Sequence, residues 1–329
     1  MKKVLTAGIM DGQAMQKEFS RVSIIMASYN GSRFLKEQIE SILAQTYGDW
    51  LLIIRDDGSR DGTVSLIKEY LQKYPGKIKF LSDNDGHLGI SGNFFRLISL
   101  ADAPYIMFCD QDDVWLPDKI EATLDKMKKL EEASGADTAL LVHTDLKVAD
   151  EGLDVIAESF WRYQNLAPEK GKKLNRLLAQ NVITGCATMI NRALKEKIRL
   201  IPGEAISYDW WVSIVAAAFG KIGYIPKPTM LYRQHAGNNI GAKRWGLSYI
   251  KERITTGMGD LRETLLKTQR QAGAFLKIYG DELPPKSAET LTVYSNLGRQ
   301  NLIVKRLDLI RYRFFKIGFQ RNIGLFLAI

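Results

Sequence analysis

Cysteine is nearly absent: Cys109 and Cys186 are the only two among 329 residues. Neither belongs to a CxxC pair, so a zinc site or a disulfide framework is not expected. Both sit in apolar surroundings, which fits reduced core thiols and a cytosolic chain. Histidine is scarce too, with three residues. No run of 18 or more apolar residues occurs, so no membrane-spanning helix is expected. The opening MKKVLTAGIMDGQAMQKEF has a short apolar piece that Asp11 interrupts before a signal-peptide core forms, and residues 1–20 read as a disordered leader. Repeats and low-complexity tracts are missing as well.

What is present is a 46% hydrophobic chain, enough for a sizeable core. Its net charge of +9 is unevenly spread. Residues 242–329 hold 16 Lys+Arg and 7 Asp+Glu, while the first 241 residues hold 30 of each. Such a basic region attracts nucleic acid or an anionic membrane surface. No nucleic-acid-binding motif supports the first.

Apolar runs at 22–28 (VSIIMAS), 50–55, 77–82 and 105–110 read as buried strands. Helical apolar spacing lies between them, at 34–43, 66–71 and 91–101. The alternation predicts βαβ units and a parallel sheet. Ligands of such sheets sit beyond the carboxyl ends of the strands. Those ends carry SYNG, DDGSRDG, DNDGHLGISGN and DQDD. Farther on, 118–132 reads as a charged helix and 138–148 as a strand. Residues 152–180 read as cleft cover and 181–192 as a strand pair or bent strand. A helix opens at Tyr208, KIGYIP and TMLYRQH form a hairpin, and amphipathic helices cover 245–278 and 286–325.

The sharpest signal is FCDQDDVW, residues 108–115. Asp110, Asp112 and Asp113 crowd the end of an apolar strand, where like charges raise one another's pKa. Something positive is expected among them. An Asp-X-Asp can hold Mg²⁺ or Mn²⁺ together with substrate phosphates. Alone it competes evenly with a loop of helix-capping aspartates. The glycines at 86, 89 and 92 do not form a dinucleotide fingerprint, because they do not follow the first strand.

VSIIMASYNGSRFLKEQIESILAQTYGDWLLIIRDDGSRDGT followed by FCDQDDVWLPDKI resembles the family 2 glycosyltransferases. VITGCATMINR, YDWW and YRQHAGNNIG resemble the branch containing bacterial rhamnosyltransferases. The resemblance covers about 22–241. It implies the GT-A fold, an α/β architecture with a Rossmann-like nucleotide half (21–115) and an acceptor half (116–241) around one mixed sheet. A helical extension, 242–329, follows.

On the matching positions the resemblance implies that Ser28 and Tyr29 meet the nucleotide, Tyr29 by stacking on the base. Asp57 would accept the base imide N–H, which favours uracil or thymine. Asp110 would lie by ribose and metal, and Asp112 would be the principal ligand of Mn²⁺ or Mg²⁺, with His235 completing the site. Arg233 and Gln234 are implied diphosphate contacts, and Asn93 is either a donor contact or a plain helix start. Asp209 occupies the position of the catalytic base, which takes the acceptor hydroxyl proton. Related sequences commonly place His before it, where this chain has Tyr208. Gly185 marks a loop near the acceptor sugar, and Trp210 and Trp211 form either a sugar-stacking wall or core.

The implied activity is inverting, metal-dependent transfer of a sugar from a dTDP- or UDP-sugar, most closely dTDP-L-rhamnose, to a saccharide or lipid-linked saccharide. A UDP-hexose donor is one alternative, and a silent nucleotide-sugar-binding scaffold another. In the tail, Trp245, Tyr249, Ile250 and the basic-apolar stretch 306–329 read as a helix in an anionic membrane interface. Ordinary packing or a homo-oligomer contact competes with that reading. A peripheral place on the inner face of the bacterial plasma membrane follows from it.

Overall fold

The computed structural model describes residues 21–83, 85–238, 241–242, 244 and 258–329. The leader expected over 1–20, and Trp245, Tyr249 and Ile250, lie outside the described residues.

Four parallel strands build the first half: β1 (Val22–Ser28), β2 (Trp50–Asp56), β3 (Ile78–Leu81) and β4 (Tyr105–Cys109). They are joined by α1 (Leu35–Leu43), α2 (Thr63–Lys73) and α3 (Gly89–Leu100). β1 and β4 are buried on both faces, which is why they read as continuous apolar runs. Then come β5 (Val114–Trp115), α4 (Lys119–Glu132), β6 (Ala139–Ala149) and β7 (Val155–Ala157). Short helices follow: α5 (Phe160–Tyr163), α6 (Pro168–Gly171) and α7 (Leu174–Ala179). β8 (Thr188–Asn191), α8 (Arg192–Lys197), α9 (Tyr208–Phe219) and β9 (Gly220–Arg233) complete this half. The strand order is β3-β2-β1-β4-β8-β6-β9-β5, with β7 on β6. β8 runs antiparallel to both β4 and β6, so the sheet is mixed.

Two expectations are corrected here. The hairpin expected over 221–235 is the single strand β9, parallel to β6. Pro226 and Pro228 lack the N–H that a regular ladder needs, and the register shifts beside them, at Asp145, instead of turning. The strand pair or bent strand expected over 181–192 is a loop, a 3₁₀ turn at Gly185–Ala187 and the four-residue β8.

The tail folds as α10 (Met258–Tyr279), α11 (Pro285–Asn296), α12 (Leu302–Arg311) and α13 (Phe319–Ala328). The amphipathic stretch expected over 286–325 is helical in three pieces, with Gly318 at φ 92° opening α13. These helices do not hang free. Phe275, Tyr279, Leu291, Tyr294 and Phe314 share one hydrophobic cluster with Ile106 and Phe108 of β4, Phe94 of α3 and Trp211 of α9. Each such side chain, fully buried, contributes on the order of 1.5–3 kcal/mol. No described helix is long and apolar enough to cross a membrane.

Candidate active site

The carboxyl ends of β1, β2 and β4 meet the start of α9 and the end of β9. At β1, Ser28 is buried and its hydroxyl donates to Asp56 Oδ2 at 3.0 Å. Tyr29 is 48% exposed, with its ring 5.4 Å from that of His87. Gln111, the middle residue of the Asp-X-Asp, fixes this turn: its Oε1 accepts from Tyr29 N–H (2.9 Å) and its Nε2 donates to Tyr29 O (3.0 Å). A Cβ on Gly31 would collide with the Gln111 side chain, so only glycine admits this bridge.

Asp57 lies inside the loop, 3% exposed. Its carboxylate accepts from Leu88 N (2.8 Å), Gly89 N (2.9 Å) and Arg55 Nη1 (3.0 Å), and His87 Nδ1 lies 2.9 Å away. Arg55, 1% exposed, also binds Asp83, Gly86 O and Asn93 Oδ1. Asn93 is thereby placed behind the loop at 2% exposure, in the network rather than in the cleft. His87, which carried no signal in the sequence, stands at the rim with Tyr29.

The aspartate turn divides its side chains. Asp112 meets His235, Oδ2 to Nε2 at 2.9 Å. The His235 ring packs on Phe34 with centroids 4.6 Å apart, and its Nδ1 accepts from Gly237 N–H at 3.1 Å. Asp110 instead faces Asp113 and Cys186, with one ligand atom from each lying within 4.8 Å of the others. The trio Asp110, Asp112 and His235 is therefore not gathered as the expectation had it; among the described residues, the gathered trio is Asp110, Asp113 and Cys186. Burial pushes the Cys186 thiol well up, and a thiol is a poor partner for hard cations. The oxygen and imidazole pair of Asp112 and His235 fits Mn²⁺ or Mg²⁺ better.

Burial, with Asp112 and Asp209 beside it, pushes Asp110 up to about 7. Burial, then Asp112 and Asp110, pushes Asp113 well above the carboxylate range. The positive charge demanded by this crowding arrives from two sides. Lys119 of α4 is fully buried, with Nζ 3.3 Å from Thr229 Oγ1 and 4.9 Å from the Trp115 ring. Burial brings it down to about 8, against the opposing pull of Cys186, Cys109, Asp113 and Asp110. Arg233 is the second, and this corrects its expected role. At 2% exposure it lies under the turn, donating to Asp112 O (2.8 Å), Glu151 O (2.7 Å) and Glu37, while its backbone N–H binds Asp113 Oδ1. Gln234 likewise braces backbone, donating to Arg233 O at 3.1 Å and accepting from Ala242 N–H.

Asp209 sits in the first turn of α9 and faces Asp110 closely enough to raise it. Its Oδ1 accepts from Trp210 N–H (2.7 Å) and from the Ser207 hydroxyl. Burial raises Asp209, against these bonds and the Gly185 N–H. Tyr208 stacks on Phe94 (centroids 3.9 Å apart) and its hydroxyl fills the space over Gly185, where a Cβ would collide. That packing fixes the start of α9 without the usual histidine. Trp210 is half-buried, its indole N–H bonded to Leu177 O at 2.6 Å. Trp211 is fully buried against Phe275, so it is core and not a sugar wall.

The pH response of stability follows from these shifts. Asp83, held at about 2 mainly by Arg55, contributes stability that is lost as pH falls through about 2. Asp110 acts oppositely: its contribution is complete below the ordinary carboxylate pKa and is lost as pH rises through about 7. In the presence of chelator, the melting temperature is expected to decline between roughly pH 4 and pH 7, with a shallower slope in Asp110→Asn. Melting scans across that window check it, and identical slopes in the two proteins count against it.

A separate open cavity of about 990 Å³ is lined by Asp145, Glu158, Tyr163, Tyr224 and Arg244 among others, none of them from the aspartate turn.

The family model described as Glycosyl transferase family 2 matches residues 23–199. The dTDP-rhamnosyl transferase RfbG of Shigella flexneri is 30% identical over 223 residues, 66% of this chain and 74% of that one. The UDP-Glc:alpha-D-GlcNAc-diphosphoundecaprenol beta-1,3-glucosyltransferase WfgD of Escherichia coli is 36% identical over 108 residues, 33% of this chain and 41% of that one. Among solved structures, S. aureus TarS 1-349 in complex with UDP-GlcNAc superposes with a TM-score of 0.54 at 14% identity, covering 89% of each chain. Mannosyltransferase PcManGT from Pyrobaculum calidifontis, in complex with GDP-Man and Mn²⁺, gives 0.53 at 14% identity, covering 89% of this chain and 73% of that one. These structural likenesses bear on the fold, which is GT-A with added C-terminal helices. The family model spans more than half of the sequence, across both the nucleotide-side strands and the aspartate turn, and the chain belongs to glycosyltransferase family 2.

Proposed function

We propose that this enzyme is an inverting, metal-dependent transferase that moves L-rhamnose from dTDP-L-rhamnose to a saccharide or lipid-linked saccharide of the bacterial cell surface. The observation that carries the reading is the 2.9 Å contact of Asp112 with His235 in the aspartate turn, with Asp209 at the start of α9 near enough for its charge to raise Asp110. Tyr29 and His87 offer exposed rings to a base, and Asp57 holds the loop beneath them. Asp112 and His235 would hold Mn²⁺ or Mg²⁺, with Asp110 adding charge. A divalent cation there supplies positive charge to the diphosphate that departs.

The acceptor oxygen attacks the anomeric carbon on the face opposite the diphosphate. Its proton passes to the Asp209 carboxylate, the bond from anomeric carbon to phosphate oxygen breaks, and the electron pair leaves with the nucleoside diphosphate. One displacement inverts the anomeric centre. Burial raises Asp209, which makes its carboxylate a stronger base than an exposed one.

The dTDP-rhamnosyl relative supports the donor, and the relative whose name carries a diphosphoundecaprenol acceptor supports a lipid-linked saccharide. The latter's UDP-Glc donor keeps a UDP-hexose as the second reading. Melting scans with dTDP, UDP, GDP, ADP, dTDP-rhamnose and UDP-glucose, with and without Mn²⁺, separate them. A ligand at about 100 times its Kd adds about 2.7 kcal/mol of stability. A metal-dependent shift is expected with dTDP-rhamnose above all. A larger shift with UDP-glucose transfers the assignment to a hexose, and no shift with any nucleotide favours a scaffold.

A further inference from the structure

Among the described residues, 16 large apolar side chains are exposed, and eight of them fall between residues 302 and 327. On α12, Ile303, Leu307 and Ile310 are 73%, 59% and 55% exposed. Their spacing of four and three residues places them in one stripe, while Leu309 is buried in the core and anchors the helix. On α13, Phe319 is 81% and Leu327 59% exposed. An ordinary surface scatters such residues singly; a concentration of this kind marks an interaction face.

The charge around the stripe says what meets it. Residues 300–329 contain six Lys+Arg and a single acid, Asp308. Asp308 is turned to Gln300, accepting from its Nε2 at 2.8 Å. Between α6–α7 and the segment entering α13 lies a cavity of about 420 Å³ lined by Lys170, Arg176, Lys316, Phe315, Phe319 and Asn322 among others. Three cations and no carboxylate line it. Burial chiefly, and then the charge of nearby Arg313, lowers the Arg176 guanidinium from its ordinary value. A second copy of this chain is a poor occupant, because two such faces would bring like charges together.

We propose that α12, α13 and this basic cavity form one docking face for an anionic phospholipid surface, the cavity receiving a headgroup phosphate while Ile303, Leu307, Ile310 and Phe319 enter the acyl boundary. Basic residues beside large apolar ones suit that interface, and each contributes through the surface potential of anionic lipid. The inference does not rest on the donor or metal assignment.

The test is co-flotation of the full chain with vesicles of phosphatidylcholine alone, and of phosphatidylcholine and phosphatidylglycerol in equal parts. Binding is expected only to the mixed vesicles and falls as salt is raised. Lys170→Gln with Lys316→Gln should weaken the partition by about 30-fold, and Ile303→Glu with Phe319→Glu by at least about tenfold. Both variants should keep the parent's melting temperature and its nucleotide-induced shift. Equal binding to the two vesicle types, no binding to either, or variants that bind like the parent overturns the proposal. So does inorganic phosphate stabilising the protein while phosphatidylglycerol adds nothing, which would make the cavity a soluble-anion site. A concentration-dependent dimer that Ile303→Glu with Phe319→Glu dissociates, seen by sedimentation, would assign the face to self-association instead.

Discussion

Asp209→Asn is expected to leave donor binding intact and to lower turnover by about 10²–10⁴-fold, the range lost with a general base. The substitution keeps the shape of the side chain. The amide oxygen still accepts from Trp210 N–H and the Ser207 hydroxyl, so the first turn of α9 has no reason to move. What disappears is the basic carboxylate oxygen that would receive the acceptor proton in the proposed mechanism. One charge facing Asp110 disappears too, and Asp110, now at about 7 partly because of Asp209, moves down. Metal and nucleotide affinity near neutral pH should therefore hold or improve while the chemical step fails. Turnover at saturating donor, beside a nucleotide titration followed by melting, reads both effects. A variant that still turns over normally removes Asp209 from the mechanism, whatever its position.

The second large effect concerns the two aspartates that end the turn. Asp112→Asn should abolish the metal-dependent part of nucleotide binding and lower turnover by several orders of magnitude, since His235 alone is a weak site for a hard cation. Asp113→Asn should do far less. That carboxyl is fully buried, raised well above its ordinary range by burial and its two neighbours, and engaged by Arg233 N–H at 3.1 Å. An amide resembles a protonated acid in size and hydrogen bonding, so a stability change within about 1 kcal/mol is expected. Mn²⁺ titrations of both variants decide the matter. Metal response surviving in Asp112→Asn and lost in Asp113→Asn would shift the centre to the Asp110, Asp113 and Cys186 trio.

The parallel strands were legible because double-sided burial leaves continuous apolar runs such as VSIIMAS, bounded by turn chemistry. β9 was not, because Pro226 and Pro228 imitate a turn in sequence while β6 holds them in one strand through a shifted register. Asp112, His235 and Asp209 were singled out by position in motifs, and the structure sets Asp112 beside His235 and Asp209 in the first turn of α9. Arg233 looked like a ligand of diphosphate because its partners cannot be read locally: Glu37, Asp112 O and Glu151 O come from distant parts of the chain. Lys119 was invisible for the same reason, being one lysine of an ordinary charged helix until α4 turns it under the aspartates. Gln111 and His87 have no motif identity at all; they matter through the turn they brace and the ring they face. Trp211 follows the helical period of a buried face, and the core takes it.

The shared hydrophobic cluster has a bearing on how this chain can be altered. Phe275 and Tyr279 of α10 rest on Trp211, two residues along α9 from Asp209. The described helices of the C-terminal quarter thus back the helix that carries Asp209, through one shared hydrophobic cluster. Exchanging that quarter for the tail of another family member would substitute a foreign wall behind Asp209, the proposed base. Chimaeras joined near residue 242 should therefore inherit altered catalysis along with altered location, and attachment and chemistry would have diverged together during descent rather than as interchangeable parts.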